Sequence, residues 1–288
     1  MLHKILVPLD GSRLSDRILN QVRRLLVRED ARVMLLRVQP SPLQYPYNEE
    51  RRRVLVQTQE HLEGLCESLC ENGARATYTL LDAGDPATKI LDFAKRYNPS
   101  LLAMTTHGRS GIRRMLRGSV AERVLRNARH PLLLWNPFRP TGVGKGGGPR
   151  FARILVPLDG SSESAGILPL VRSLAELNEA KVILLHIQEL YPLSSEYPGA
   201  LPMLTPEEAL KILSPYRRQL GSIPVKLRTE VGLPASGILD VAQEEHADLL
   251  ALSSHGRTGV SRWAFGSVTE AVLRHCPLPL LVTRTRPG

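Results

Sequence analysis

Short apolar runs alternate with longer stretches of helical spacing along the first half of the chain. Residues 4–9 form an apolar run that ends near a proline, which is typical of a buried strand. Apolar residues then recur at helical spacing over 15–27, and a second buried run covers 32–38. The same alternation predicts a helix over 49–71, a strand over 74–80, a helix opening at Pro86, a strand over 101–105, a helix opening at Ser119 and a strand over 131–135.

Residues 1–135 are repeated by residues 150–285. The run Ile-Leu-Val-Pro-Leu-Asp-Gly-Ser occurs at 5–12 and again at 154–161. Thr-His-Gly-Arg-Ser-Gly at 106–111 returns as Ser-His-Gly-Arg-Thr-Gly at 254–259, and Gly-Ser-Val at 118–120 returns at 266–268. This period is too long for a solenoid and fits a duplicated domain. We therefore predict two domains, residues 1–138 and 151–288, joined by a linker over 139–150.

The second half predicts the same elements as the first. Strands are expected over 181–187, 225–230, 249–253 and 279–283, and helices over 206–220, from Pro234 and from Ser267. Ser119 and Ser267 are each followed three residues later by glutamate, which predicts a capping box at the last helix of each half. Because strand and helix alternate throughout, the fold class is α/β. Each half should be a parallel sheet with helices on both faces.

The predicted linker is rich in glycine and is flexible by composition. It contains a formal Gly-x-Gly-x-x-Gly at Gly142, Gly144 and Gly147. These glycines follow no predicted strand and open no predicted helix. The motif is therefore an accident of composition and does not predict a dinucleotide site.

Charge and cysteine content narrow the class of protein. There are 38 Lys and Arg against 28 Asp and Glu, a net charge of +10, which favours anionic partners, although ordinary solubility charge gives the same excess. Three cysteines without counterparts in the other half argue for a reducing compartment. Cys66 and Cys70 are expected to be small core-facing helix residues. Because no two further ligands lie near them in the sequence, we expect no metal site at this pair. The chain runs straight into a strand and has no apolar stretch of membrane length, so we expect a cytoplasmic protein without membrane contact.

The repeated motifs fall at the ends of two predicted strands. Asp10 and Asp159 follow the first strand of each half, and His107-Gly108 and His255-Gly256 follow the fourth. In an open α/β sheet, ligands bind beyond the carboxyl ends of the strands, where the strand order reverses. If these strands are neighbours at that reversal, the motifs meet in one crevice.

A glycine-bounded loop forms the other side of this crevice. Nine residues separate Gly108 from Gly118-Ser119, and nine separate Gly256 from Gly266-Ser267. Glycine lets backbone amides approach an anion, and free amides at a helix N-terminus attract phosphate. Arginines repeat in the loop at 109 and 114 and at 257 and 262. Turn glycines and capping serines would explain the loop alone equally well, but the aspartate at the first strand favours a nucleotide, since it suits an adenine amino group or a ribose hydroxyl.

Three features occur in both halves, namely the Ile-Leu-Val-Pro-Leu-Asp-Gly-Ser opening, the second strands Leu-Leu-Arg-Val and Leu-Leu-His-Ile, and the His-Gly-x9-Gly-Ser signature. With these features the chain resembles the universal stress protein family twice, over nearly its full length. The resemblance implies a Rossmann-like five-stranded parallel sheet in the order 3-2-1-4-5 and a pocket for ATP, with Mg²⁺ as a companion of the phosphates. The aspartates would meet the adenine end, the last residue of the second strand would contact the base through its backbone, and the glycine-rich loop would hold the phosphates. The implied nucleotide-binding residues are Pro8, Leu9, Asp10, Val38, Thr105, His107, Gly108, Arg109, Gly118, Ser119 and Val120 in the first half, and Pro157, Leu158, Asp159, Ile187, Ser253, His255, Gly256, Arg257, Gly266, Ser267 and Val268 in the second.

One position departs from the family pattern. The first glycine of the Gly-x2-Gly-x9-Gly-Ser signature is Thr105 in one half and Ser253 in the other. A side chain there either crowds the nucleotide or supplies a hydrogen bond from its hydroxyl group, and the sequence leaves both open.

The leading hypothesis is a non-enzymatic stress-response or regulatory protein that binds ATP in one or both halves. His107 and His255 have no partnered Ser or Cys nucleophile at a repeated spacing, so we predict no catalytic residue and interpret both histidines as loop anchors. The alternatives are a slow ATPase and a member that does not retain ATP and serves as a scaffold for protein or nucleic acid. Nucleic acid is disfavoured because the arginine-rich stretch 109–129 has few aromatic residues to stack on bases.

Two copies of one fold present the same surface twice, which permits a two-fold contact within the chain. We predict that the halves form an internal pseudo-dimer through their apolar fifth strands, which would otherwise be exposed edges. A homodimer of whole chains is a second arrangement that the sequence leaves open.

Overall fold

A computed structural model describes residues 3–26, 31–39, 49–81, 83–106, 120–138, 149–189, 204–254 and 266–284. The chain divides into two compact units, Met1–Pro140 and Thr141–Gly288. Residues 139–148 lie outside the described ranges, so the linker boundaries stay a prediction. The pairing of the two units also stays a prediction.

The first unit alternates strands and helices as its hydrophobic pattern predicts. Its strands are β1 (Lys4–Pro8), β2 (Arg32–Val38), β3 (Arg75–Leu81), β4 (Leu101–Thr105) and β5 (Leu132–Trp135). Its helices are α1 (Arg13–Asp16), α2 (Leu19–Arg23), α3 (Glu49–Glu71), α4 (Pro86–Tyr97) and α5 (Val120–Asn127).

The second unit repeats this order of elements. Its strands are β6 (Arg153–Pro157), β7 (Lys181–Glu189), β8 (Val225–Gly232), β9 (Leu249–Ser253) and β10 (Leu280–Thr283). Its helices are α6 (Ser162–Ala165), α7 (Leu168–Asn178), α8 (Pro206–Gln219), α9 (Pro234–Glu244) and α10 (Ser267–His275). Apart from the helix predicted over 15–27, the predicted bounds of these elements agree with the structure to within two residues.

Each unit contains a parallel five-stranded sheet. The strand order is β3-β2-β1-β4-β5 in the first unit and β8-β7-β6-β9-β10 in the second, which confirms the expected order 3-2-1-4-5. The central strands are buried on both faces, and Ile5, Leu6 and Val7 are fully inaccessible to solvent, which is why they read as continuous apolar runs. β1 and β4 are neighbours at the reversal of strand order, as are β6 and β9, so the carboxyl ends that carry the repeated motifs are adjacent.

The helix predicted over 15–27 is wrong in its bounds, because the chain forms two short helices, α1 and α2. Ser12 accepts a hydrogen bond from the Ser15 amide at 3.1 Å, so the first helix begins at Arg13. The Ser15 hydroxyl group bonds back to the Ser12 carbonyl at 2.8 Å, and the Ile18 amide reaches only three residues back, to Ser15. These serine hydrogen bonds thus compete with the backbone hydrogen bonds of one continuous helix. The apolar residues keep their helical spacing across the two short helices.

The capping box predicted at Ser267 is also wrong. Helix α10 begins at Ser267 itself, with Gly266 as an extended N-cap, and the structure has no side-chain cap there. Glu270 instead pairs with Arg274 one turn further on. A capping box does occur in the second unit, at Thr205 and Glu208 before α8. Ser119 lies outside the described residues.

Helix α3 packs on its sheet through a narrow apolar stripe that includes Leu62 and Leu69. Cys70 lies off this stripe and is exposed, so its predicted core-facing position is wrong, whereas Cys66 is half-buried. Burial raises the pKa of the Cys66 thiol to about 11, with a smaller contribution from Cys70, so this thiol is protonated at neutral pH. No helix in the described ranges, this longest one included, is long and apolar enough to cross a membrane.

An ion-pair network ties the edge strand β8 to the end of helix α9. Glu245 accepts hydrogen bonds from Lys226 Nζ at 2.7 and 2.9 Å and from Arg228 Nη1 at 2.6 Å. Arg228 also donates to Glu244 at 2.9 Å and pairs with Glu230. Glu245 follows the last turn of α9, where helix carbonyls repel a carboxylate, so the two cations stabilise its charge. Burial opposes ionisation of this group, but the hydrogen bonds and charges of Lys226 and Arg228 outweigh it and lower the pKa of Glu245.

We expect Glu245→Gln to reduce the free energy of unfolding by about 1–2 kcal/mol at neutral pH, because Lys226 and Arg228 then face a neutral amide. A carboxylate with a lowered pKa stabilises the fold above its ordinary pKa and loses this contribution as the pH falls through the lowered value. The difference between wild type and variant should therefore shrink in acid. Urea denaturation at neutral and acidic pH measures it.

The matched control is Glu244→Gln, which removes a more exposed partner of the same Arg228. The Glu244 side chain is 59% exposed against 11% for Glu245, so this change should cost less than about 0.5 kcal/mol. Equal costs for the two substitutions, or a Glu245→Gln effect that grows in acid, would contradict the assignment.

Candidate functional site

The chain leaves the first strand of each sheet through the same tight turn. Asp10 Oδ1 accepts hydrogen bonds from the Ser12 amide at 2.9 Å and the Ser12 hydroxyl group at 2.6 Å. Asp159 makes the same two bonds to Ser161, at 2.9 and 2.6 Å. The intervening glycines have φ of 76° at Gly11 and 88° at Gly160, the left-handed region that glycine adopts without strain.

This turn gives the two aspartates a structural role beside their predicted ligand role. Ser12 and Ser161, which the aspartates hold, are the N-caps of α1 and α6. Both carboxylates remain half-buried at the carboxyl edge of the sheet. One oxygen of each group therefore positions a capping serine, and the carboxylate stays at the edge of the crevice.

The second strand of each sheet runs further than the first. In a parallel pair, both backbone groups of alternate residues point to the same neighbour. Leu36 accepts from the Leu9 amide at 2.8 Å, so Val38, two residues on, presents its N–H and C=O toward the space that β1 has left. Ile187 stands in the same relation to β6, because Leu185 accepts from the Leu158 amide at 2.8 Å.

Among the described residues, these two backbone edges carry no ladder bond on that side. The Val38 amide does not bond the Leu9 carbonyl oxygen, and the Ile187 amide does not bond the Leu158 carbonyl oxygen. The Ile187 side chain packs against helix α9, since a Cβ added to Gly237 would lie 2.8 Å from Ile187 Cδ1. The side chain of this residue is therefore used in packing, and its backbone groups lie on the side that β6 has left.

A buried polar side chain bonds the carbonyl group that the ladder would use next. Arg37 Nη1 donates to the Leu9 carbonyl oxygen at 3.3 Å, and His186 Nδ1 lies 2.9 Å from the Leu158 carbonyl oxygen. Both side chains are buried. Sequence reasoning missed these residues, although a polar residue at the same place in two otherwise apolar strands, Leu-Leu-Arg-Val and Leu-Leu-His-Ile, was the available signal.

The fourth strands end in buried hydroxyl residues. Thr105 pairs in register with Trp135, and Ser253 with Thr283. The Thr269 hydroxyl group donates to the Ser253 carbonyl oxygen at 3.2 Å, so helix α10 is held against the end of β9. At the two departures from the family pattern, the side chains are thus packed in the sheet edge, less than one tenth exposed.

The described residues on either side of the glycine-bounded loop of the second unit bond to each other, since the Gly266 amide donates to the Ser254 carbonyl oxygen at 3.0 Å. The amides of Ser267 and Val268 lie in the first turn of α10, where the helix itself offers no acceptor. Gly266 has φ of −65°, and among the described residues the nearest atom to an added Cβ is the Ser254 oxygen, at 3.9 Å. Neither backbone conformation nor these neighbours require a glycine here.

The structure brings together one part of the predicted site and leaves another outside the described residues. Asp10, Val38, Thr105 and their counterparts lie at the carboxyl edge of each sheet, as do Pro8, Leu9, Pro157 and Leu158. Val120 is the first residue of α5. The predicted residues outside the described ranges are His107, Gly108, Arg109, Gly118, Ser119, His255, Gly256 and Arg257. Within those ranges, no group of three or more His, Cys, Asp or Glu residues could hold a metal ion.

The two units differ in charge beside the aspartate turn. Asp16 of α1 lies near Asp10 and pairs with His61 of α3, with 3.0 Å between Asp16 Oδ2 and His61 Nε2. Burial raises the pKa of Asp16, and the Asp10 charge adds to this, while His61 and Ser15 oppose it. The matching residue of the second unit is Ala165, so only the first unit carries this second carboxyl group.

Comparison with known proteins finds relatives for both halves. The family model of the universal stress protein family matches residues 1–135 and 150–284. A universal stress protein of Methanocaldococcus jannaschii is 29% identical over 140 residues, covering 46% of this chain and 82% of the relative. A universal stress protein of Synechocystis is 30% identical over 149 residues, covering 51% and 94%.

Solved structures agree on the fold over both units. A universal stress protein from Archaeoglobus fulgidus superposes with a TM-score of 0.69 at 22% identity, covering 97% of this chain and 95% of that one. This likeness shows the fold, and the family model covers nearly all of both halves. The chain therefore belongs to the universal stress protein family and carries two of its domains in tandem.

Proposed function

We propose that each unit binds an adenine nucleotide, ATP with Mg²⁺ foremost, and that the protein acts in a stress response as a nucleotide-dependent binding module, with no catalytic residue. The observation that carries the proposal is the open backbone edge of Val38 and Ile187 beside the aspartate turn. An adenine ring offers an acceptor nitrogen next to its N6 amino donor. Val38 and Ile187, whose backbone groups on this side have no partner among the described residues, offer the complementary donor and acceptor.

The first turn of α10 supports the phosphate end of the proposal. Amide groups at a helix N-terminus form a ready site for an anion, and those of Ser267 and Val268 lack intrahelical partners. A glycine at 266 leaves room there that the described neighbours do not fill. The chain's net charge of +10 also favours an anionic ligand. The proposed phosphate contacts of Gly108, Gly118, Ser119 and Gly256 rest on the family resemblance.

The proposed role of the aspartates follows from their charge and position. Both carboxylates lie half-buried at the carboxyl edge of the sheet, and we propose that a nucleotide hydroxyl or amino group donates to the same carboxylate whose Oδ1 holds the capping serine. The proposed location is the cytoplasm, because the three cysteines are all free thiols and free thiols persist in a reducing compartment.

The direct test is to denature freshly purified protein and identify any released nucleotide by chromatography, and then to titrate the stripped protein with ATP by calorimetry. We expect released ATP, or two ATP sites per chain on titration. Release of ADP together with turnover of added ATP would identify the slow ATPase instead. No bound nucleotide and no heat of binding with ATP would leave the scaffold alternative.

Asp10→Asn and Asp159→Asn separate the two roles of the aspartates. Asparagine keeps an Oδ1 acceptor for the capping serine but has no second acceptor oxygen and no charge. We expect the double variant to bind ATP at least about ten-fold more weakly, while its unfolding free energy without ligand changes by less than about 1 kcal/mol. Calorimetry and urea denaturation measure the two quantities.

The matching alanine variants serve as controls for these substitutions. They remove the Oδ1 acceptor as well, so they should lower stability in addition to ATP affinity. If asparagine and alanine destabilise the fold equally and neither weakens ATP binding, the aspartates belong to the turn alone.

Gly266→Ala tests the room left at the start of α10. We expect a change of less than about 1 kcal/mol in unfolding free energy and loss of the second unit's ATP site, so that the calorimetric stoichiometry falls from two to one. Gly64→Ala is the control, because an added Cβ there meets nothing within 4 Å. It should leave both ATP sites intact and stabilise α3 by about 0.5–1 kcal/mol. Unchanged ATP stoichiometry in Gly266→Ala would remove this position from the site.

A further inference from the structure

The penultimate residue of the second strand differs between the units but makes the same contact. Arg37 donates to the Leu9 carbonyl oxygen at 3.3 Å, and His186 bonds the Leu158 carbonyl oxygen at 2.9 Å. A carbonyl oxygen only accepts, so His186 Nδ1 carries the proton in this bond. Both side chains are basic, but the contact that the structure shows for both at this buried position is a hydrogen bond to that carbonyl group.

The regular ladder would supply this donor from the backbone. Pro8 is in register with Leu36, and the Leu9 amide bonds the Leu36 carbonyl oxygen. The next bond of a parallel ladder would run from the Val38 amide to the Leu9 carbonyl oxygen. In the second unit it would run from the Ile187 amide to the Leu158 carbonyl oxygen. The side chain bonds that oxygen in both units, and the backbone bond is not formed among the described residues.

We infer that Arg37 and His186 are positioning residues that end the ladder one step early. Leu9 and Leu158 are buried, and a buried carbonyl group needs a donor. Because a side chain meets this need, the Val38 and Ile187 amides stay open at the carboxyl edge. The part of the inference that concerns the nucleotide base rests on the proposed function, whereas the open amide is a property of the unliganded chain.

The test uses Arg37→Met and His186→Phe in the full chain, which keep much of the side-chain volume but cannot donate. Amide hydrogen exchange of Val38 and Ile187 is followed by NMR without ligand. In wild type we expect both amides to exchange readily. In each variant the amide of the altered unit should exchange at least about ten-fold more slowly, because it now bonds the strand-end carbonyl group.

Affinity for ATP and for inorganic tripolyphosphate is then measured by calorimetry. Loss of one hydrogen bond to the base should weaken ATP binding at the altered unit roughly ten-fold and leave tripolyphosphate binding unchanged. The chain supplies its own control, since Arg37→His and His186→Arg exchange the donors between units. Both exchanges should keep the open amide and the ATP affinity.

Unchanged amide exchange in Arg37→Met and His186→Phe would overturn the inference, as would equal weakening of ATP and tripolyphosphate. If these variants do not fold, Arg37→His and His186→Arg provide the test. Loss of the open amide in either of these two variants contradicts the inference. Slowed amide exchange in a protein whose wild type binds no ATP would retain the positioning role and reject the proposed nucleotide function.

Discussion

A parallel strand that leaves its sheet must find new partners for backbone groups that its neighbour no longer bonds. In both units this constraint falls at the end of the first strand, after Leu9 and Leu158. The aspartate turn draws the chain away from the sheet and starts a helix through a capping serine, while Arg37 or His186 bonds the carbonyl group left behind. The candidate site consists of the aspartate turn and the backbone edge of Val38 or Ile187, which these bonds leave open among the described residues.

The same constraint explains why the two halves agree at some positions and diverge at others. Asp-Gly-Ser is identical in both halves because each residue has a separate role. The aspartate accepts hydrogen bonds from the serine, the glycine adopts a left-handed φ, and the serine caps the helix that follows. The residue that bonds the strand-end carbonyl group needs only a buried N–H, so arginine and histidine both serve. The halves differ beside the turn, where Asp16 has Ala165 as its counterpart. They differ also at the edge strand, since the described residues of the first unit form no ion-pair network like that of β8.

The strands could be predicted closely because burial on both faces leaves an apolar run that ends where the strand ends. Ile5–Val7 and the fourth strands show this directly. The bounds of the helix predicted over 15–27 could not be predicted closely. Apolar spacing indicates which residues face the core, but it does not indicate the hydrogen bonds by which Ser12 and Ser15 interrupt the helix. The box at Ser267 failed for a related reason, since its pattern does not reveal that Gly266 holds the N-cap position.

The residues of the candidate site also differ in how far the sequence indicates them. Repetition marks Asp10 and Asp159, because a carboxylate after a buried strand is conspicuous. The open amides of Val38 and Ile187 have no direct signature in the sequence, because a backbone group has no residue type. Strand register shows which way each amide points. Their one trace is indirect, a polar residue placed where the apolar pattern of β2 and β7 calls for an aliphatic one. Burying a polar side chain in a central strand costs free energy that its hydrogen bonds must offset. Because both halves place a donor at this position, we interpret its bond to the strand-end carbonyl group as the interaction that both halves retain.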